Sequence, residues 1–277
     1  MTAREALLFG GRLLGGGRGR EVALILAGAC AWPVERLFLE PSRPLEPVAW
    51  ERYRDNLKKR FAGVPLQYLL GEAGFWSLSL RVDPRVLVPR PETETLVETV
   101  LELADGLERP RIADVGTGSG CIGLALAVEL PHARIHATDV SADALAVARE
   151  NAAACGATNV FFHRGDLLAA LPDEIKLNFL VSNPPYVATG DLPGLPPEVR
   201  AEPRLALDGG GDGLYFYRRL LADGVDRVRP GGLAVLELGF GQGPAVRELA
   251  RGTPWRPLPF RDDLAGIERV AVFRREP

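Results

Sequence analysis

The sequence predicts an α/β fold in which a mainly parallel sheet, covered by helices on both faces, follows a small bundle of helices. From about residue 91 onwards, short apolar strand patterns alternate with helical patterns, which is typical of parallel sheets. Residues 1–72 contain only helical patterns. A stretch of period-two alternation separates the two regions and predicts a β-hairpin linker at residues 73–90.

The helical region is predicted to contain three helices. Four leucines between residues 7 and 14 indicate the first, which ends at Gly15-Gly16-Gly17. An apolar run that begins at Val22 indicates the second, and a third begins near Pro47. Residues 1–72 carry 11 lysines and arginines against 8 aspartates and glutamates, whereas the rest of the chain is net negative. We therefore expect residues 1–72 to form a separate substrate-docking domain with a weak preference for an anionic partner.

The linker is predicted to pair residues 78–82 with residues 86–88 across an Asp-Pro turn. The alternating region that follows, residues 91–277, is expected to form one domain. Its predicted strands are residues 111–115, 133–138, 160–163, 179–182 and 233–238, and its predicted helices are residues 92–107, 121–130, 142–155, 215–228 and 243–251. In such sheets ligands bind beyond the carboxyl ends of the strands.

Composition narrows the class of protein. A length of 277 residues suits two domains, and a net charge of −3 does not demand a nucleic-acid partner. Three cysteines and three histidines, all scattered, predict no disulfide framework and no metal site, so we expect a reducing, cytoplasmic location. The longest apolar run, residues 22–32, is too short to span a bilayer, and no membrane association is expected.

A glycine-rich loop follows the first predicted strand of the sheet and precedes a helix, an arrangement that suits a nucleotide cofactor. Its glycine spacing also fits the dinucleotide-binding pattern, and the alternative is an ordinary tight turn. The candidate cofactor-binding residues here are Gly116, Thr117, Gly118, Ser119 and Gly120.

Two acidic residues at later strand ends extend this candidate site. Asp139 is placed to accept hydrogen bonds from both hydroxyls of a ribose, unless it caps the next helix, for which Ser141 is better placed. Asp166 could accept a hydrogen bond from an adenine amino group, or it could be a solvated turn residue. The ribose-binding role of Asp139 fits NAD and S-adenosylmethionine equally well.

The strongest signal is Asn183-Pro184-Pro185-Tyr186 at the end of the fourth predicted strand of the sheet. An amide nitrogen is a poor nucleophile, and two acceptors that each take one of its hydrogens would orient it toward an electrophilic methyl group. We expect the side-chain oxygen of Asn183 and the carbonyl of Pro184 to be these acceptors, with Tyr186 stacked on the amide plane. Because a dehydrogenase has no use for such a pocket, this motif favours S-adenosylmethionine, with S-adenosylhomocysteine as the product.

With these motifs, the sequence resembles the protein-(glutamine-N5) methyltransferases that modify peptide chain release factors. The resemblance covers nearly the whole chain and is most specific at residues 88–94, Val-Pro-Arg-Pro-Glu-Thr-Glu. It implies a seven-stranded class I methyltransferase domain behind a helical bundle and a hairpin, and a substrate glutamine in a Gly-Gly-Gln sequence of a release factor. It further implies cofactor contacts from residues 116–120, Asp139, Leu167 and Asn183, and a glutamine held by Asn183, Pro184, Pro185 and Tyr186.

Several alternatives stay open. In residues 89–94, Arg90, Glu92 and Glu94 could form salt bridges, or Thr93 and Glu94 could support the helix start, and Arg90 could instead recognise a partner. Glu237 and Gln242, near a late strand end, are interpreted as structural. An N6-adenine methyltransferase acting on DNA or RNA would also need an Asn-Pro-Pro-Tyr loop, although it would call for a more basic surface. A binding protein without activity is the remaining class.

Overall fold

The computed structural model describes residues 1–15 and 17–277, and it divides into two compact units. One unit contains Met1–Glu72 with Leu195–Ala201, and the other contains Ala73–Gly194 with Glu202–Pro277. Gly16, in the middle of the first predicted helix break, lies outside the described residues. The α-helices, in chain order, are α1 (Ala3–Leu14), α2 (Gly19–Cys30), α3 (Val34–Leu39), α4 (Pro47–Phe61), α5 (Leu66–Leu70), α6 (Glu94–Ala104), α7 (Cys121–Glu129), α8 (Ala142–Cys155), α9 (Pro197–Arg200), α10 (Tyr215–Arg227) and α11 (Gly243–Glu248).

The first unit has a helical core around Tyr53. The three predicted helices are present as α1, α2 and α4, and the short α3 and α5 are additional. Thr2 and Glu5 form a capping box that fixes the start of α1, and the buried Tyr53 hydroxyl donates to the Ala6 carbonyl at 3.1 Å. Apolar residues of α1, α2 and α4 pack around this ring, so burial of apolar surface holds the unit together.

A segment from far along the chain belongs to this first unit. The buried Arg60 forms 2.7 Å ion pairs with Glu21 and with Glu198, and a side chain at Gly63 would collide with Pro197. These contacts explain why Leu195–Ala201 groups with residues 1–72, a grouping that no local sequence pattern predicts.

The predicted hairpin pairing is wrong, although a hairpin is present. The paired strands are β1 (Glu72–Phe75) and β2 (Leu78–Arg81), joined by a two-residue turn in which Trp76 adopts φ 56°. Residues 86–88 form no strand. Pro84 and Pro89 donate no backbone hydrogen bonds, and Asp83 closes a local turn by accepting from the Arg85 N–H at 3.1 Å.

The second unit contains a mixed sheet whose strands are β3 (Arg111–Val115), β4 (Arg134–Asp139), β5 (Val160–Arg164), β6 (Leu177–Ser182), β7 (Val228–Glu237), β8 (Trp255–Pro257), β9 (Arg261–Asp262) and β10 (Glu268–Arg275). The strand order is β5-β4-β3-β6-β7-β10-β8, and β9 pairs with β10. The pairings from β5 to β7 are parallel, whereas β10 is antiparallel to β7. Within the described residues the sheet therefore has the seven strands of this order plus the two-residue β9.

The central strands bury side chains on both faces. In β6, Phe179 packs into one apolar cluster with α6 and α7, whereas Leu180 packs into another with α10 and α11. Strands of this kind show nearly continuous apolar runs, which is why periodicity identified β3 to β7 and the helices between them. In the part of the chain that the structure describes, no helix has the length and apolar character needed to cross a membrane.

Candidate active site

A pocket lies at the carboxyl ends of β3, β4, β5 and β6, and it encloses about 830 Å³ including its open mouth. Seven of the predicted site residues line this one pocket. They are Gly116, Gly118, Asp139, Asp166, Leu167, Asn183 and Pro185.

The glycine loop presents bare backbone to the pocket. Gly116 and Gly118 have φ values of 75° and 56°, and a side chain built on either would meet no atom within 4 Å. The N–H groups of Gly116 and Thr117 both bond to the Thr138 carbonyl at 2.9 Å, which ties the loop to β4. A ligand can therefore approach the backbone closely at this loop.

A buried carboxylate below the loop was not identified from the sequence. Asp114 Oδ2 accepts from the Thr117 hydroxyl at 2.6 Å and from the Gly123 N–H at 2.9 Å, so it holds the loop to the start of α7. Burial raises the pKa of Asp114 to about 6. An aspartate within an apolar strand, just before a glycine loop, was the signal that could have revealed it.

Three of the predicted cofactor-binding residues face the protein interior and not the pocket. The side chains of Thr117 and Ser119 are buried, and neither residue lines the pocket. Gly120 has φ 87°, and a side chain there would collide with Leu124. These residues shape the loop from below.

Asp139 connects the end of β4 to the glycine loop. Its carboxylate accepts from the Gly118 N–H at 3.0 Å and from the Ser141 N–H at 2.8 Å, and burial raises its pKa. The cap of α8 is Ser141, whose hydroxyl accepts from the Ala144 N–H at 3.1 Å, as the sequence predicted. The carboxylate of Asp139 is thus available at the pocket wall.

The opposite wall combines Asp166 and Leu167 with residues that the sequence did not identify. Asp166 is more than half exposed and forms a bidentate ion pair with Arg219. The two guanidinium nitrogens of Arg219 donate to Asp166 Oδ1 at 3.0 Å and to Oδ2 at 2.8 Å. Leu167 has φ 49°, an uncommon backbone conformation for a branched side chain. Phe216 and Leu205 add apolar surface, and Arg85 also lines the pocket.

The Asn183-Pro184-Pro185-Tyr186 loop begins where Ser182 donates to the Val115 carbonyl at 2.6 Å, which links β6 to β3. The Asn183 side-chain nitrogen donates to Thr93 Oγ1 at 3.2 Å, and Pro184 is buried. Within the described part of the chain, neither the Asn183 side-chain oxygen nor the Pro184 carbonyl accepts a hydrogen bond. Of these two residues, Asn183 lines the pocket and Pro184 does not.

Tyr186 and its neighbours close the far end of this loop. The Gln242 side-chain nitrogen donates to the Tyr186 carbonyl at 3.0 Å, and the Gln242 oxygen accepts from the Gly239 N–H at 3.1 Å. Tyr186 is partly buried and does not line the pocket, and burial raises the pKa of its phenol to about 12. Gln242 thus has the structural contacts that its position near a strand end predicts.

The segment at residues 89–94 is anchored on both sides. Arg90 forms an ion pair with the buried Glu202, which also accepts from the Val88 N–H at 3.1 Å, and this confirms a salt bridge at Arg90. Glu94 accepts from the Trp76 N–H at 2.7 Å. Between these contacts, Thr93 ends the 3-10 helix Pro91–Thr93, and its hydroxyl donates to Glu237 Oε2 at 2.6 Å.

The pocket's residues fit S-adenosylmethionine. Open backbone at Gly116 and Gly118 suits the amino-acid part of the cofactor, Asp139 offers acceptors for the ribose, and Leu167 with Phe216 provides apolar surface for adenine. Among the described residues, no cluster of histidine, cysteine, aspartate or glutamate side chains has an arrangement that could hold a metal ion.

Two family patterns match the chain. The Methyltransferase small domain matches residues 91–209, and the PrmC N-terminal domain matches residues 16–71. In solved structures, the fold resembles a methyltransferase from Pyrococcus furiosus, with a TM-score of 0.54 and 18% identity over 82% of this chain and 98% of the other. It also resembles the human Mettl16 catalytic domain, with a TM-score of 0.58 and 19% identity over 80% of this chain and 82% of the other. At these identities the likeness concerns the fold alone.

Sequence similarity is much higher to one set of enzymes. The release factor glutamine methyltransferase of Moorella thermoacetica is 48% identical over 283 positions, which cover 100% of both chains. The corresponding enzyme of Deinococcus radiodurans is 43% identical over 86% of this chain and 84% of its own. The chain therefore belongs to the release factor glutamine methyltransferase family, as its motifs predicted.

Proposed function

We propose that this enzyme transfers a methyl group from S-adenosylmethionine to the side-chain N5 of the glutamine in the Gly-Gly-Gln sequence of a peptide chain release factor. The observation that carries the proposal is one continuous pocket, which joins Gly116, Gly118 and Asp139 to Asn183 and Pro185. The cofactor elements and the amide-orienting loop thus face the same space. The products would be N5-methylglutamine and S-adenosylhomocysteine.

The cofactor supplies an electrophilic methyl group on a positively charged sulfur. Asp139 would accept hydrogen bonds from its ribose, and the backbone of Gly116 and Gly118 would lie against its amino-acid part. Leu167 and Phe216 would pack on the adenine. Asp166 would accept from the adenine amino group beside Arg219, because each carboxylate oxygen can accept more than one hydrogen bond.

Asn183 and Pro184 would bind and orient the glutamine amide. The Asn183 oxygen and the Pro184 carbonyl would each accept one N–H of the substrate nitrogen, which turns its lone pair toward the methyl carbon. The nitrogen–carbon bond forms as the carbon–sulfur bond breaks, and the bonding electrons go to sulfur. The excess proton on nitrogen then leaves to water, so no strong base is required. Consistently, burial keeps the Tyr186 phenol protonated.

We further propose that the protein partner is the release factor itself, with no nucleic-acid substrate, and that the reaction takes place in the cytoplasm. The excess of lysine and arginine in residues 1–72 supports a docking role for this region against an acidic surface. The proposed domain limits are residues 1–72, with Leu195–Ala201, for docking, 73–90 for the linker and the rest of 91–277 for catalysis.

The test is methyl transfer from labelled S-adenosylmethionine to a purified release factor. A Gln→Ala factor and an adenine-rich oligonucleotide are assayed beside it. Label on the intact factor alone is the expected result. Label on the oligonucleotide, with none on the factor, would mean that the Asn183 loop binds a base and would overturn the proposal.

A further inference from the structure

Two hydrogen bonds connect three side chains, from Asn183 in the Asn-Pro-Pro-Tyr loop through Thr93 to Glu237 at the end of β7. Asn183 Nδ2 lies 3.2 Å from Thr93 Oγ1, which lies 2.6 Å from Glu237 Oε2. Thr93 and Glu237 are each only 1% exposed, so water does not compete for these hydrogen bonds. The proposed reaction assigns no role to either residue.

The donor and acceptor of each of these two hydrogen bonds follow from the chemistry of the three side chains. Above the pKa of Glu237, which burial raises to about 7, its carboxylate is ionised and only accepts hydrogen bonds, so the single hydroxyl hydrogen of Thr93 points to Glu237. The hydroxyl oxygen then has only lone pairs to offer Asn183. The Asn183 side chain must present its NH₂ group to Thr93, because the reversed amide would bring two acceptors together.

The donor and acceptor roles determine which atom of the Asn183 amide faces the pocket. With the nitrogen of Asn183 held at Thr93, the oxygen of the same amide is left as an acceptor beside the pocket that Asn183 lines. A reversed amide would present a donor to the substrate nitrogen and would repel its N–H groups. The orientation of one planar group therefore separates a productive pocket from an unproductive one.

We propose that Thr93 and Glu237 are positioning residues, which hold the Asn183 amide in one orientation so that its oxygen accepts from the substrate nitrogen. The inference rests on the proposed function. The 3-10 helix Pro91–Thr93 would then serve to position Thr93. The contacts of Arg90 with Glu202 and of Glu94 with the Trp76 N–H hold this helix from both sides. Glu237, interpreted from sequence as structural, acts here through Thr93.

The first experiment compares Thr93→Val, which keeps the shape and removes the hydroxyl, with Thr93→Ser, which restores it. Thr99→Val is the matched control, because Thr99 is also buried and its hydroxyl donates only within α6, to the Thr95 carbonyl at 2.7 Å. Assays at pH 8 keep Glu237 largely ionised, since burial raises its pKa to about 7. We expect kcat to fall about 30-fold in Thr93→Val and less than about threefold in Thr93→Ser and Thr99→Val, with KM for the cofactor unchanged within about twofold.

Glu237→Gln tests the other member. A glutamine amide can turn either way, so it no longer dictates the direction of the Thr93 hydroxyl. We expect kcat to fall about fivefold at pH 8. A kcat equal to that of the wild type would remove Glu237 from the proposal.

A double-mutant cycle shows whether Thr93 acts through Asn183. In an Asn183→Ala background, Thr93→Val should change kcat by less than about twofold, because the group it positions is already gone. Equal losses in Thr93→Val and Thr93→Ser, or additive losses in the double mutant, would overturn the inference. Failure of the wild-type enzyme to label the release factor would instead overturn the proposed function, so the two failures are distinguishable.

Discussion

Two buried carboxylates support opposite halves of the active-site pocket, and they do so by different means. Asp114, near the end of β3, accepts from the Thr117 hydroxyl, and Glu237, at the end of β7, accepts from the Thr93 hydroxyl, both at 2.6 Å. Neither carboxylate is more than 1% exposed. Burial raises the pKa of Asp114 to about 6 and that of Glu237 to about 7.

The difference lies in the partners. Asp114 bonds to residues 3 and 9 positions along the chain, one of them through a backbone N–H. The partner of Glu237 is 144 residues away and passes the contact on to the Asn183 side chain. Contacts between residues close in sequence suit the cofactor half of the pocket, the glycine loop at residues 116–120, whose backbone must keep one conformation. Contacts between distant side chains suit the substrate half, the loop that begins at Asn183, where the Asn183 amide must be oriented.

The largest effect is expected at Asn183. Asn183→Ala should lower kcat by about 10²- to 10³-fold, because loss of one oriented hydrogen-bonding group at a reaction centre has that cost. The dissociation constant for S-adenosylmethionine, measured by calorimetry, should change less than about fivefold. Equal losses in both quantities would show that the two halves of the pocket are not separate.

The two carboxylates should differ in how they link stability to pH. A carboxyl group with a raised pKa in the folded state stabilises the protein fully below its unfolded pKa, and the stabilisation is lost as pH rises through the folded pKa. For Glu237 the window runs from about pH 4.5 to 7, and for Asp114 from about pH 3.8 to 6. The free energy of unfolding should fall by on the order of 3 kcal/mol relative to Glu237→Gln across the first window.

Chemical denaturation at half-unit pH steps measures these windows. The corresponding difference between wild type and Asp114→Asn should be complete about one pH unit lower. Identical profiles for both variants would mean that the two sites do not differ in environment.

Removal of the carboxylate at Asp114 should disturb the cofactor half alone. Asp114→Ala leaves the Thr117 hydroxyl and the Gly123 N–H without their buried partner, which should lower the free energy of unfolding by about 2 kcal/mol. Cofactor affinity should fall with it. Asp173→Ala, at a fully exposed side chain paired with Arg227, is the control and should leave the free energy of unfolding unchanged.

The smallest effects are expected for substitutions of the two acidic residues at the pocket wall, Asp139 and Asp166, which should differ in how much they weaken cofactor binding. Asp139→Ala should weaken S-adenosylmethionine binding about tenfold, since its half-buried carboxylate bonds to the glycine loop. Asp166→Ala should weaken it less than about threefold, because Asp166 is largely exposed and already paired with Arg219. The reverse order in a calorimetric titration would contradict this ranking.

Sequence patterns identified most of the second unit but little of its supporting contacts. Periodicity predicted β3 to β7, because parallel central strands are apolar on both faces and alternate with amphipathic helices. It missed β10, which is antiparallel to β7 and lies after the last predicted helix. It also misplaced the hairpin, since the turn at Trp76 contains neither glycine nor proline and gives no local turn signal.

The sequence by itself determined the fold class, the order of β3 to β7, the family and the positions of Gly116, Asp139 and Asn183, because each follows from local patterns along the chain. Only the tertiary structure decided that Leu195–Ala201 joins the first unit and that Phe216 lines the pocket. It likewise decided that Glu237, Thr93 and Asn183 form one chain. These contacts join residues far apart along the chain, and a linear pattern carries no record of which distant side chains share a buried space.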